Sequence, residues 1–170
     1  MDTGVYLIDR CQEISITEDI IIPLHMKYSI EINAPVNKVV ELFMDPDLYK
    51  EWKKDFLSYE RISGNPGQVG AVTKLNFKRV TMFETITSSK LPNEISGTYE
   101  HKRGEKTMMI HKSTNRFSAI PGNKTLYEQE SELTKVVGFI PKLIMGLMSG
   151  AAKKYYQNQL SLFKATVEKH

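Results

Sequence analysis

The chain has 170 residues and only one cysteine, Cys11, so no intramolecular disulfide framework can form. No CxxC pair or nearby histidine gives that cysteine a metal partner, and a reducing compartment is the expectation. Asp2, Asp9 and Glu13 stand where a secretory signal needs basic residues ahead of an apolar core, which adds to the expectation of a cytoplasmic protein. Long apolar runs are missing too. The uncharged stretch Leu143–Ala152 holds about ten residues against the ~20 that span a bilayer, so stable membrane insertion is excluded and only a transient touch is compatible. Charge of one sign is nowhere massed. The net charge of +3 is spread over interleaved acids and bases, which excludes the basic arms and blocks of a nucleic-acid binder.

Standard catalytic signatures are also lacking: there is no GxSxG elbow, GxGxxG turn, Walker lysine loop or HExxH helix. Gly64, Gly67 and Gly70 have Pro66 among them and no following GK[ST], so they form a loop and not a phosphate cradle. Of the four histidines, His25 falls in an N-terminal extension and His170 is terminal. His101 and His111 are spaced to meet across a hairpin, but two ligands do not define a zinc site. No metal and no cofactor are expected.

What is present is strong local patterning. Met26, Tyr28, Ile30 and Ile32 alternate with Lys27, Ser29, Glu31 and Asn33, the period of a strand with one buried face. Pro35 then starts a helix whose Val36, Val39, Val40 and Phe43 form one apolar stripe. Asp45-Pro46 caps and starts a second short helix carrying Tyr49, Trp52 and Phe56. Residues 1–25 read as an extension and 26–170 as a single domain, long enough to bury a real core.

Beyond the helices the middle of the chain reads as sheet. Strand-like segments cover 56–63, 71–79, 81–89, 95–102, 108–120 and 125–136, separated by turn chemistry such as Pro121-Gly122-Asn123-Lys124. Glu128, Glu130 and Glu132 at spacing two belong on the wet face, which turns Tyr127, Gln129, Ser131 and Leu133 inward. By the same logic Lys112, Thr114 and Arg116 point out, and His111, Asn115 and Phe117 point in. The chain closes with a short apolar helix over 141–148 and, capped by Ser149, a longer one from about Gly150 to Glu168. Ala152, Tyr156, Gln159, Phe163 and Val167 share one face of it.

The opening Ile30-Glu31-Ile32-Asn33-Ala34-Pro35-Val36, followed by Val40-Glu41-Leu42-Phe43 and Trp52-Lys53, resembles the start of SRPBCC (START-like, polyketide cyclase/dehydrase and lipid transport) domains. Gly67-Gln68-Val69-Gly70, Glu84-Thr85-Ile86-Thr87, Leu91-Pro92 and Gly97-Thr98-Tyr99 fit the same pattern, and coverage runs from Met26 to about Lys169. The resemblance implies an α+β helix-grip fold: a curved antiparallel sheet of six to seven strands around a long C-terminal helix, with two short helices after the first strand. It also implies a cavity between sheet and helix holding a small hydrophobic ligand.

Apolar candidates for the cavity wall are Phe43, Trp52, Leu75, Phe77, Met109, Phe117, Met148 and Phe163, with Met108 and Met145 as further adaptable thioethers. Polar candidates are Tyr99, His101, Tyr127, Gln129, Tyr156 and Gln159, because a ligand cavity is mostly apolar with a few placed donors and acceptors. The simpler expectation for any one of these polar groups is that a protein neighbour satisfies it. Glu84 and His111 are the candidates for proton transfer. Glu84 shares a strand face with Met82 and Ile86, opposite Phe83, Thr85 and Thr87. The pattern does not decide which face is inward, and a solvent-facing Glu84 is the simpler expectation. Binding or carriage of a lipid, polyketide, isoprenoid or aromatic molecule is the leading function. A cyclase or dehydratase enzyme and a chaperone-activator-like interaction module are the alternatives. A cavity no larger than about 100 Å³ would rule out carriage.

Overall fold

The computed structural model describes residues 24–137 and 142–170, with the backbone alone for Leu24 and for 142–152. Strand β1 (Leu24–Ile32) leads through Pro35 into α1 (Val36–Met44), a 3₁₀ turn (Pro46–Leu48) and α2 (Tyr49–Trp52). Six strands follow: β2 (Phe56–Ser63), β3 (Val72–Phe77), β4 (Thr81–Lys90), β5 (Glu94–Arg103), β6 (Lys106–Ile120) and β7 (Lys124–Val136). Helix α3 (Lys142–Lys169) ends the chain. The strands form one antiparallel sheet in the order β1-β7-β6-β5-β4-β3-β2, curved around α3 in a helix-grip fold.

Local chemistry accounts for the sharp corner after β1. Pro35, extended at ψ 152°, precedes the first turn of α1, and the Asp45 carboxylate accepts the Asp47 N–H at 2.9 Å to open the 3₁₀ turn. Trp52 closes α2 and is buried beneath α3. The Thr125 hydroxyl donates to the Ala34 carbonyl at 2.7 Å, and the Asn33 N–H donates to Glu168 at 2.8 Å, so the corner is tied to both β7 and the end of α3.

The core lies where α1, α2 and the second half of α3 meet the concave face of the sheet. Phe43 is its hub, with rings of Trp52, Phe117, Tyr127 and Phe163 within 6 Å of its centroid. Phe163 and Val167 are fully buried. A smaller apolar patch under β2–β4 joins Phe56, Leu75 and Met82.

On the convex face, Arg116 bridges Glu94 at 2.9 Å and Glu130 at 2.7 Å, and Lys27 meets Glu128 at 3.0 Å. The register expected for β6 and β7 therefore holds: the carboxylates face out, while Asn115, Phe117, Tyr127 and Ser131 are buried on the concave side. It holds despite a bulge between Ile110 and His111, because that bulge falls before the run concerned.

Two expectations about elements are corrected. The two C-terminal helices are one: α3 is continuous through Ser149, since a serine and a glycine weaken a helix without removing the hydrogen bonds that only a proline would break. β1 begins at Leu24, so His25 is not in an extension but in the strand, 3.5 Å from Glu130. The long charged hairpin of β5 and β6 pairs along its whole length, from Glu94 opposite Arg116 to Arg103 opposite Lys106, with one bulge between His101 and Lys102.

Candidate functional site

A cavity of about 370 Å³ lies between the sheet and α3. Its apolar wall comes from α1 and α2 (Phe43, Met44, Tyr49, Trp52), from the strands (Phe77, Met82, Ile86, Ile95) and from α3 (Leu160, Phe163). Strand alternation places its polar groups. Tyr99 on β5 stands opposite both Glu84 on β4 and His111 on β6, so all three side chains project to the concave face.

The Tyr99 hydroxyl donates to Glu84 at 2.7 Å. Its ring stacks on His111 with centroids 4.9 Å apart and planes 10° from parallel. His111 Nδ1 lies 3.2 Å from His101 Nε2, so the imidazoles share one hydrogen bond and one must donate to the other. The result is a continuous polar strip, Glu84–Tyr99–His111–His101, across three strands of an otherwise apolar wall. Deeper in, Tyr127 donates to Asn115 at 2.8 Å, and Ser131, Ser113 and Gln129 form a looser hydroxyl and amide cluster.

Burial sets the proton affinities of the two histidines and the tyrosine. It pulls His101 down to about 4, and it pulls His111 down to about 3 with help from the neighbouring His101. Both imidazoles are therefore neutral at pH 7. Burial, with the charge of Glu84 and the hydrogen bond to it, raises Tyr99 well above the ordinary phenol range. Lys53 follows α2 with its ammonium 4.0 Å from the centre of the Trp52 ring and 4.6 Å from that of Tyr49. Burial lowers it to about 8, against the opposing pull of Glu84.

The expected residues divide as follows. Phe43, Trp52, Phe77, Tyr99, His101, Tyr127, Gln129, Tyr156, Gln159 and Phe163 line the cavity, as do Glu84 and His111. A solvent-facing Glu84 is overturned: its opposition to Tyr99 and Thr73, both cavity residues, turns it inward with Met82 and Ile86. Leu75 does not line the cavity; it is 1% exposed in the patch with Phe56 and Met82. Phe117 is likewise core, stacked on Tyr127 at 5.0 Å. Met109 does not line the cavity, although it stands opposite His101 toward the hairpin tip, and Met108 is 41% exposed. The side chains of Met145 and Met148 lie outside the described residues.

Gln159 is satisfied by backbone. With its amide oriented to suit both neighbours, it donates to the Trp52 carbonyl at 3.1 Å and accepts from the Lys54 N–H at 3.1 Å, pinning the end of α2 to α3. Sequence reasoning missed Lys53, Arg61, Arg79, Thr73 and Ser113. The readable signal for Arg61 and Thr73 was strand alternation: they oppose each other on the same face as Tyr59 and Leu75. Nothing in the pattern marked Lys53 or Arg79, which follow a helix end and sit in a turn. Among the described residues no group of three or more metal-ligating side chains is present, and no helix is long and apolar enough to cross a membrane.

A curved antiparallel sheet wrapped around a C-terminal helix, with an apolar cavity between them, defines the helix-grip class of folds, and known proteins narrow it. Residues 23–168 match the family described as polyketide cyclase / dehydrase and lipid transport, and the chain belongs to that family. Among solved structures it is similar to the Zhui aromatase/cyclase from Streptomyces sp. R1128, with 11% identity and a TM-score of 0.68 over 87% of this chain and 95% of that one. It is also similar to Ara h 8.0201, with 14% identity and a TM-score of 0.67 over 87% and 99% of the two chains. A START superfamily protein from Mycobacterium smegmatis gives 10% identity and a TM-score of 0.65 over 85% and 97%. At these identities the likeness is one of fold. No curated protein matches the sequence.

Proposed function

We propose that the chain binds a small, mostly apolar molecule carrying at least one polar oxygen, and carries it without changing it. The observation behind this reading is the cavity itself. At about 370 Å³ it falls within the roughly 300–1,000 Å³ of small-molecule sites and well above the about 100 Å³ that would rule carriage out. Its walls are apolar, and the Glu84–Tyr99–His111–His101 strip offers acceptors and a hydroxyl along one side. A lipid, polyketide, isoprenoid or aromatic compound bearing a hydroxyl or carbonyl suits that lining. The cytoplasmic assignment rests on the lone Cys11.

Native mass spectrometry of freshly purified protein, followed by solvent extraction, tests the reading. A discrete extra mass released on denaturation supports it. A clean protein mass that stays clean after incubation with a panel of such compounds contradicts it.

The inward carboxylate favours a second reading, a cyclase or dehydratase. Glu84 would take a proton from carbon next to a ligand carbonyl, and the Tyr99 hydroxyl already hydrogen-bonded to it would set its orientation. Loss of turnover in Glu84→Gln with ligand affinity retained would establish that reading over simple carriage.

A further inference from the structure

The charges in the cavity wall are unbalanced. Lys53, Lys54, Arg61 and Arg79 line it, against two acids, Asp55 and Glu84. Both acids are already engaged: Asp55 pairs with Lys78 at 3.3 Å, and Glu84 accepts the Tyr99 hydroxyl. Among the described residues none of the four cations lies within ion-pairing distance of a carboxylate.

Three of the four come from segments that the backbone joins at one end of the cavity. Lys53 and Lys54 follow α2, and the Lys78 N–H donates to the Asp55 carbonyl at 3.1 Å, which sets the β3–β4 turn carrying Arg79 beside them. Lys54 and Arg79 are exposed, whereas Lys53 is half-buried, its ammonium over the Trp52 and Tyr49 rings. A positive mouth thus leads past a partly desolvated ammonium into an apolar interior. Such a geometry concentrates anions and strengthens each contact as water is excluded.

We propose that the cavity takes an amphipathic oxyanion, with its apolar body against the Phe43, Trp52 and Phe163 wall and its anionic group seated where Lys53, Lys54 and Arg79 converge. This inference rests on the binding reading above and adds the chemical class of the ligand. A phenol or alcohol on the body would meet Glu84, and the anionic end would stay at the mouth.

Two fluorescent probes that differ by one group provide the test: anilinonaphthalene sulfonate and its uncharged counterpart phenylnaphthylamine, titrated into the wild-type protein at low and high salt. Charge-assisted hydrogen bonds predict that the sulfonate binds at least about ten-fold tighter at low salt. Salt should narrow the gap. In a Lys53→Met/Arg79→Gln double variant the ratio of the two affinities should fall toward one. Displacement of the sulfonate by an alkyl carboxylate or an alkyl phosphate of equal chain length then shows which oxyanion is preferred, and displacement by either supports the proposal. If the neutral probe binds as tightly as the sulfonate in the wild type, the oxyanion proposal is overturned and the cavity reading stands. If neither probe binds, both are overturned.

Discussion

Tyr99 and Glu84 face each other across β4 and β5 with the phenol donating to the carboxylate at 2.7 Å inside the cavity. Among the described residues no other hydrogen bond or ion pair reaches that carboxylate, although its charge is felt by Lys53. Tyr99→Phe should therefore lower unfolding stability by about 1 kcal/mol, the cost of leaving a half-buried acceptor without its donor. Glu84→Gln keeps an oxygen acceptor for the phenol and should cost under about 1 kcal/mol. Urea unfolding midpoints measure both. An unchanged midpoint in Tyr99→Phe would mean that solvent in the cavity satisfies Glu84.

The histidine pair should make the protein acid-sensitive. In the folded state His101 titrates near 4 and His111 near 3, below the ordinary 6.5. Between those values the unfolded chain binds more protons, so stability present above pH 6.5 is lost as pH falls toward 4 and then 3. A His101→Gln/His111→Gln variant should show a flatter loss across that window in unfolding experiments taken stepwise from pH 7 downward. An unchanged slope would place the acid sensitivity elsewhere.

Lys53 carries the same sign of pH dependence in a more alkaline window. Its folded value near 8 lies below the ordinary 10.5, so the cost of burying an ammonium is fully present below pH 8 and fades as pH rises through that window. Lys53→Met should be more stable than wild type at pH 7 by about 1–3 kcal/mol, with the gap narrowing toward pH 10.5. A gap that stays constant from pH 7 to 10.5 would show that the ammonium is not desolvated.

Gln159 joins α2 to α3 through two backbone groups, and Gln159→Ala removes both bonds at once. A loss of about 1–3 kcal/mol is expected. Hydrogen exchange should rise at the Lys54 amide, whose acceptor has gone. Unaltered exchange there would show that Gln159 does not hold the helix end.

Much of this architecture was legible because burial writes a period into the chain. The alternation from Met26 to Asn33 marked β1, and the glutamates at 128, 130 and 132 oriented β7, since each charge has only one comfortable side. Glu84 was misread because a charge usually seeks water, and the partner that makes an inward carboxylate tolerable, Tyr99, lies fifteen positions away on another strand. Leu75 and Phe117 were read as cavity wall because a core residue and a wall residue leave the same apolar mark. The break expected at Ser149 reflected local propensity, which α3 overrides. The cations at the mouth escaped notice because a lysine after a helix and an arginine in a turn look like ordinary solvated charge until the fold brings them together.

The function proposed above requires the space between sheet and α3 to receive a ligand. The most direct measurement is an amide NMR titration with phenylnaphthylamine. Chemical-shift changes concentrated on β4, β5 and the part of α3 around Tyr156, Leu160 and Phe163 are the predicted result. Shifts confined to exposed apolar residues such as Leu57, Ile62 and Val69, with the cavity residues unmoved, would contradict it.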